Sequence, residues 1–175
     1  MKTQSGNRAY IDGANLHKGI EGLGWNLDYR RFRVWLSEKF GIDTAYLFIG
    51  LIPKNKKLYQ KLQEVGYTLV FKEVVYDNDG KAKGNCDADL VLQATRDAYE
   101  EQFHRAILVT SDGDYASLAA FLLERDQLLS ILSPSLPQKC SVLLKRTGAK
   151  ITYLQEFRIQ LQYQKEKAPN RDGTL

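Results

Sequence analysis

The chain has 175 residues, of which 43% are apolar and 26% are charged, with a formal net charge of +4. This length and balance predict one globular domain that folds without a disulfide or a structural metal. A net charge of +4 excludes a strongly acidic protein. It mildly favours anionic partners such as nucleic acid, although an ordinary basic surface explains the charge equally well.

The first ten residues lack the apolar segment of a signal peptide. No run of the chain approaches the ~18 apolar residues that a membrane helix needs. Cys86 and Cys140 lie far apart and match no zinc-binding spacing. Two free thiols in a reducing compartment are therefore expected rather than a disulfide, and together these features predict a cytoplasmic protein without a membrane segment.

Short apolar runs alternate with helical patterns along the chain. The predicted strands cover residues 9–11, 44–49, 67–71 (or 67–76), 106–110, 128–132 and 151–153. The predicted helices cover residues 27–40, 54–65, 87–99, 115–124 and 139–146. Asp28 is the candidate N-cap of the first helix, and Gly41 and Gly66 end the first two helices. Residues 77–80 have the composition of a turn.

Strands that alternate with helices and are mostly continuous apolar runs predict an α/β fold. The strands form a parallel sheet that helices cover on both faces. We expect a single domain over residues 1–160 and a polar, flexible tail over residues 161–175.

Acidic residues follow two of the predicted strands. Asp12 follows the first strand, Asp112 and Asp114 follow the fourth, and Asp87 opens the helix before the fourth strand. The ligand site of a doubly wound sheet lies at the carboxyl ends of its strands, where the strand order reverses. We therefore expect the four carboxylates to converge. Such a cluster needs a cation, and oxygen ligands without His or Cys select Mg²⁺ or Mn²⁺, which suits metal-assisted hydrolysis of a phosphodiester.

Each of these residues also has a structural interpretation. Asp12 before glycine is often a turn, and Asp87 alone is more often a helix N-cap. Asp114 is a ligand, a water-positioning group or the cap of the next helix. Asn15 either caps a helix or holds Asp12 or a phosphate. Asp89 either ligates the cation or contacts the helix dipole.

The chain contains three short motifs: YIDGANL at residues 10–16, KGNCD at residues 83–87 and TSDGDY at residues 110–115. They resemble the motifs of the NYN domain family, in the LabA-like (DUF88) branch of the PIN-like nuclease superfamily. Residues 10–16, YIDGANL, resemble the family's opening hDGxN, where h is apolar. Residues 83–87, KGNCD, resemble its central KGxxD. Residues 110–115, TSDGDY, are similar to its SxDxDF, with Tyr where Phe is common. The motifs occur in the family's order, and the resemblance covers roughly residues 8–154.

The resemblance implies a PIN-like α/β/α sandwich with a mainly parallel sheet, and a metal-dependent ribonuclease. Carried over position by position, the catalytic residues are Asp12, Asp87, Asp112, Asp114 and Asn15, and the four acids would bind Mg²⁺ or Mn²⁺. Some relatives carry a further acid in the central helix, where this chain has Gln93 or Thr95 and its nearest later acid is Asp97. One cation is therefore expected rather than a full pair.

A polyanionic substrate requires basic residues around an acidic pocket. The best-placed substrate-binding candidates are Lys81 and Lys83, which lead to Asp87, together with Ser111 and Tyr115 beside Asp112. Tyr115 and Trp25 are candidates for stacking on bases, although Trp25 is more often a core or lid residue. The other candidate cations are Arg30, Arg31, Arg33, Lys54, Lys56, Lys57, Lys145 and Arg146.

The glycine-rich residues 19–24 do not have the spacing of a nucleotide-binding loop, and we interpret them as a flexible lid near the site. The hydroxyls of Thr110 and Ser111 more often satisfy a turn backbone than a ligand. His17 has a surface or packing role rather than a substrate contact.

Two other functions compete with a nuclease. A Mg²⁺-dependent phosphatase or phosphotransferase would place a DxD motif on the first strand, where this chain has DGAN. A non-catalytic RNA-binding or regulatory module would keep the same fold and the same acids, and the sequence does not separate it from an enzyme.

Overall fold

The computed structural model describes residues 6–83 and 86–165, without the side chains of residues 82 and 83. The strands are β1 (Asn7–Asp12), β2 (Ile42–Leu51), β3 (Tyr67–Glu73), β4 (Val75–Tyr76), β5 (Ala82–Lys83), β6 (Ala106–Val109), β7 (Leu128–Ser133) and β8 (Ile151–Tyr153). Six of them form one parallel sheet in the order β3-β2-β1-β6-β7-β8. The other two, β4 and β5, form a separate antiparallel hairpin.

Helices cover both faces of the sheet. They are α1 (Gly13–Gly22), α2 (Tyr29–Phe40), α3 (Lys56–Glu64), α4 (Asp87–Tyr99), α5 (Ala116–Glu124), α6 (Val142–Arg146) and α7 (Arg158–Leu161). One core contains apolar residues of α1, α2 and α3, and the core on the opposite face contains those of α4 and α5. The layered α/β fold with its parallel sheet is confirmed.

The strands are buried on both faces because each side of the sheet has its own core. All four residues of β6 are buried, as expected for a central strand of a parallel sheet. Along β1, Ala9 and Ile11 belong to one core and Tyr10 belongs to the other. Since side chains alternate along a strand, Asp12 lies on the face of Tyr10, which is the face that α4 covers.

Both predicted caps of α2 are confirmed, although the helix begins at Tyr29 rather than at residue 27. The side chain of Asp28 caps the helix by accepting a 3.1 Å hydrogen bond from the amide of Arg31. Gly41 ends the helix in the left-handed region, at φ 63°, where glycine lacks the steric penalty of other residues. Gly66 has the same role after α3, at φ 98°.

The sequence did not predict α1, and the flexible lid assigned to residues 19–24 is wrong. Gly19 packs so closely on Pro134 that an added Cβ would lie 2.7 Å from its Cβ. The helix has glycines at residues 13, 19 and 22, which lower its intrinsic helix propensity. Helix α1 is therefore stabilised by tertiary packing, with Leu16 and Ile20 in the core, rather than by its intrinsic helix propensity.

The ordered domain continues beyond the predicted boundary at residue 160. Leu161 is fully buried, and its carbonyl accepts a 2.8 Å hydrogen bond from the amide of Asp28. The amide of Tyr163 donates to the carbonyl of Asn26 at 2.8 Å. The predicted flexible tail is therefore wrong for its first three residues, 161–163, while residues 166–175 lie outside the described residues.

Cys86 and Cys140 are both free thiols, as predicted. Over residues 6–83 and 86–165, no helix has both the length and the hydropathy required to cross a bilayer.

Candidate metal centre

The strand order reverses between β1 and β6, which are neighbours in the sheet although four other strands, β2 to β5, lie between them in sequence. Asp12 ends β1, and residues 110–112 directly follow β6. Ligand sites of open α/β sheets lie in the crevice at such a reversal. The sequence-predicted acids therefore lie at the point where the topology favours a site.

Three of the four predicted acids converge. One carboxylate oxygen each from Asp87, Asp112 and Asp114 lie within 4.8 Å of one another, and we call these residues the acidic triad. Asp114 is exposed, whereas Asp87 and Asp112 are half-buried, so the triad opens to solvent. Carboxylate oxygens without nitrogen or sulfur ligands match the preference of Mg²⁺ and Mn²⁺.

The turn after β6 positions two members of the triad. The amide of Asp112 donates to Oγ1 of Thr110 at 3.1 Å, and Oδ1 of Asp112 accepts from the amide of Asp114 at 3.0 Å. Thr110 thus satisfies the turn backbone, which was one of its two interpretations. Asp114 does not cap α5, whose N-cap is Tyr115 without a side-chain cap bond.

Asp12 lies outside the triad and caps α1 instead. Its Oδ1 accepts a 3.0 Å hydrogen bond from the amide of Asn15. It is only 7% exposed, and burial raises the pKa of its carboxyl above the ordinary value, as do the charges of Asp87 and Asp112 to a smaller extent. A direct ligand role for Asp12 stays a prediction.

Tyr115 links Asp12 to the triad. Its hydroxyl donates to Oδ1 of Asp87 at 2.6 Å and lies 3.1 Å from Oδ2 of Asp12. Burial, followed by the two carboxylates, raises the pKa of the phenol well above its usual range. The side chain is fully buried, so the predicted stacking of Tyr115 on a base is wrong. The residue holds carboxylates in place instead.

The side-chain amide of Asn15 connects the start of α1 to the turn that follows β6. Its Oδ1 accepts from the amide of Ser111 at 2.8 Å and from the hydroxyl of Ser111 at 3.1 Å. The hydroxyl of Ser111 also lies 2.9 Å from that of Ser135. Ser111 is 8% exposed, and its described contacts hold Asn15, while its substrate contact stays a prediction.

The predicted basic residues are distributed unevenly around the site. Lys81 is exposed on the β4–β5 hairpin, and the side chain of Lys83 lies outside the described residues. Asp89 pairs with Lys72 at 3.8 Å and is not a member of the triad. Arg33 donates to the backbone carbonyls of Ile42, Asp43 and Gly66. These carbonyls lie where β2 and β3 begin, whereas the triad lies at the carboxyl ends of the strands.

Asp97, the nearest later acid of the central helix, belongs to a separate buried network. Its carboxylate accepts from Arg8 at 2.9 Å, Tyr10 at 2.7 Å and Gln93 at 2.9 Å. Asp97 is 3% exposed, and Arg8 lies near the start of β1, away from the triad. Asp97 therefore lies apart from the acidic triad, and the number of cations stays a prediction.

Two further residues have no contact with the triad in the described contacts. Trp25 is 6% exposed in the core, where its Nε1 donates to Gln155 at 2.8 Å, so its stacking on bases is wrong and its predicted core role is confirmed. His17 is exposed and lines a cavity of about 200 Å³ that Trp25 also lines.

The sequence pattern of the NYN domain matches residues 9–148. The chain belongs to the NYN domain family. This match confirms the family indicated by the three motifs and relates the chain to the PIN-like nuclease superfamily. A search of curated proteins found no match.

The fold of this chain resembles that of a solved structure. The chain is similar to a protein of unknown function from Vibrio parahaemolyticus RIMD 2210633, with a TM-score of 0.72 and 21% sequence identity. The likeness covers 93% of this chain and 99% of that chain. At this identity, the likeness shows the fold alone.

The role of Tyr115 was missed although the sequence contains a signal for it. Tyr115, Leu118 and Leu122 are spaced as one face of a helix, and all three are buried in the same core. The continuation of this apolar face to Tyr115 indicates that its ring points inward. Only its hydroxyl therefore reaches the site.

Proposed function

We propose that this NYN protein is a metal-dependent ribonuclease that hydrolyses phosphodiester bonds with Mg²⁺ or Mn²⁺, as a member of the LabA-like (DUF88) branch. The observation that carries the proposal is the convergence of Asp87, Asp112 and Asp114 within 4.8 Å at the reversal of the strand order. Membership of the NYN family supports a nuclease, and the RNA substrate comes from the family rather than from the carboxylates.

The triad residues Asp87, Asp112 and Asp114 would hold the cation. When bound there, it would supply Lewis-acid stabilisation of a phosphoryl oxygen and lower the pKa of water. The chain itself fixes the ligands. The hydroxyl of Tyr115 orients Asp87, and the Asp112 side chain is fixed by the amide of Asp114.

Asp12 and Asn15 would complete the site from the other side of the crevice. Asp12 would lie close enough to the cation to assist the triad as a further ligand, since the Tyr115 hydroxyl contacts both Asp12 and the triad residue Asp87. Asn15 would place its amide near the substrate phosphate, because Ser111 fixes its Oδ1. Lys81 and Lys83 would attract the phosphates of the substrate. A cytoplasmic location is part of the proposal and rests on the two free thiols.

Cleavage of labelled single-stranded and structured RNA in Mg²⁺ or Mn²⁺ tests this function. Asp112→Asn should lower the rate by about a hundredfold or more, since a metal Lewis acid supplies several kcal/mol. Asp126→Asn is the matched control, because Asp126 is exposed at φ 54°, a backbone conformation that Asn tolerates. Equal cleavage by wild type and Asp112→Asn would exclude the nuclease.

Two other outcomes point to the competing functions. RNA binding without cleavage by the wild type, under both metals, would favour the non-catalytic RNA-binding or regulatory module. A trapped phospho-aspartate at Asp12 would favour the phosphatase or phosphotransferase instead.

A further inference from the structure

We infer that residues 137–146, which comprise α6 and the turn before it, form the surface that binds the nucleic-acid strand beside the acidic triad. We call these residues the basic platform. The inference rests on the proposed function for its substrate class. It goes further by assigning the strand to one side of the crevice and to named side chains.

The basic platform is packed directly against the triad. Gly113 lies between Asp112 and Asp114, and a Cβ added to it would overlap Oγ of Ser141 and lie 3.1 Å from Cδ1 of Leu143. The backbone of the platform is also fixed there, because the amide of Ser141 donates to the carbonyl of Ser111 at 3.1 Å. A strand bound at the triad would therefore lie against the start of α6.

The charge of the basic platform suits a polyanion. Residues 137–146 include Lys139, Lys145 and Arg146 and contain no Asp or Glu. All three cations are exposed, and Nζ of Lys145 donates to the carbonyl of Pro137, which holds the turn against the helix. Cations that face a phosphate backbone release its counterions and so increase affinity.

The β4–β5 side of the crevice lacks this excess of positive charge. Residues 72–83 contain three lysines, but they also contain Glu73, Asp77 and Asp79. The three acids balance the lysines, so the segment has no net charge. The basic platform is therefore better suited than the hairpin to bind the strand, and Lys81 and Lys83 would contribute less than their place in the sequence suggests.

Two adjacent aliphatic side chains lie among the cations of the platform. Val142 is 54% exposed and Leu143 is 50% exposed. Apolar side chains next to phosphate-binding cations suit a strand whose bases are unpaired, because the face of a base packs on apolar side chains. A second copy of the chain would bring like charges together on this face, which disfavours a dimer.

Binding of labelled single-stranded oligonucleotides in EDTA, followed by fluorescence anisotropy, tests the inference without requiring cleavage. RNA and DNA of one sequence, about 12 nucleotides long, span a typical single-strand site. The variant Lys139→Glu/Arg146→Glu should weaken RNA binding about tenfold or more and reduce the salt dependence. The matched pair Lys61→Glu/Lys165→Glu, at exposed positions in α3 and after α7, should change affinity less than about twofold.

A third variant separates the apolar contact from the charges. Leu143→Ala should weaken RNA binding by a few-fold and leave the salt dependence unchanged, because no phosphate contact is lost. Equal weakening by both charge-reversal pairs, or by neither, would overturn the inference. A change in oligomeric state for Leu143→Ala, measured by light scattering, would assign the face to a second copy and also overturn it.

Failure of the inference and failure of the proposed function give different results. Metal-dependent cleavage with unchanged binding by Lys139→Glu/Arg146→Glu would retain the nuclease and reject the platform. Platform-dependent binding in EDTA with no cleavage in either metal would retain the platform and reject the nuclease. Tighter binding of RNA than of DNA would show that the platform recognises the ribose, whereas equal binding would assign it to phosphate and base alone.

Discussion

The hydroxyl of Tyr115 lies 2.6 Å from Oδ1 of Asp87, a residue 28 positions earlier in the chain. The same hydroxyl lies 3.1 Å from Oδ2 of Asp12. The hydroxyl thus lies within hydrogen-bond distance of two carboxylates, one at the end of β1 and one at the start of α4. Because both acids and the phenol are buried or half-buried, the hydroxyl reduces the cost of keeping two negative charges close together.

Replacing Tyr115 by Phe should destabilise the protein in the absence of metal. The ring fills the same space, but Asp87 loses its hydrogen-bond donor and Asp12 loses a polar neighbour, and a hydrogen bond to a charged group contributes about 1.5–3 kcal/mol. Urea unfolding in EDTA measures this loss. Tyr163→Phe is the control, since Tyr163 is 62% exposed and its hydroxyl has no described partner. Equal stability of wild type and Tyr115→Phe would contradict the role assigned to the hydroxyl.

Asp12 and Asp112 should differ in their effect on cation affinity. Asp112 belongs to the acidic triad, whereas Asp12 reaches it only through Tyr115. Loss of an outer partner costs about 10–100-fold in metal affinity, so Asp12→Asn should stay within that range and Asp112→Asn should exceed it. Titration calorimetry with Mn²⁺ measures both constants. Equal or greater loss for Asp12→Asn would make Asp12 a direct ligand.

The location of the site could be predicted from the sequence because it depends on few features. Continuous apolar runs predict the parallel sheet. The acids that follow β1 and β6 are then expected at the carboxyl ends of these strands, where the strand order reverses. Asp87, Asp112 and Asp114 converge as expected. This part of the prediction succeeds because strand ends and helix starts fix backbone positions without any knowledge of side-chain packing.

Side-chain roles were less predictable because they depend on which face of an element is buried. The sequence predicts that Tyr115 stacks on a base, whereas its ring packs in the core. Asp12 is the N-cap of α1, a contact that the sequence does not predict, while its role as a metal ligand stays a prediction. That helix was itself missed, because its glycines lower helix propensity and its stability comes from contacts such as that between Gly19 and Pro134. Such contacts between distant residues leave no local pattern.

Cys86 should react slowly with thiol reagents at neutral pH. Burial, followed by the negative charges of Asp12 and Asp89, raises the pKa of its thiol to about 11. Only the thiolate reacts, and it becomes abundant only as the pH rises through that value. Relative to an ordinary cysteine of pKa about 8.5, the rate at pH 8 should be lower by about a hundredfold.

The rate of thiol labelling against pH, in EDTA, checks this expectation. The variant Cys140→Ser leaves Cys86 as the one cysteine of the chain. Labelling should accelerate about tenfold per pH unit up to pH 10, because the thiolate fraction grows in that proportion below the pKa. A plateau near pH 9 would show that the pKa of Cys86 is ordinary.

Gly113→Ala should disturb both the triad turn and the basic platform. The added Cβ would overlap Oγ of Ser141, and overpacking of this kind costs about 1–3 kcal/mol. Relief of the overlap would move Ser141 and Leu143 away from the triad, so the free energy of unfolding and the affinity for RNA should fall together. Chemical denaturation and anisotropy measure the two effects.

A second substitution should reverse part of this loss. Gly113→Ala/Ser141→Gly removes the overlapping hydroxyl, and glycine at the N-cap of α6 costs only a few tenths of a kcal/mol. The double variant should therefore be more stable than Gly113→Ala and bind RNA more tightly. Gly22→Ala is the matched control, because nothing lies within 4 Å of a Cβ added there, and it should lower neither the free energy of unfolding nor the affinity for RNA. If Ser141→Gly gives no recovery, the contact between Gly113 and Ser141 does not set the position of the platform.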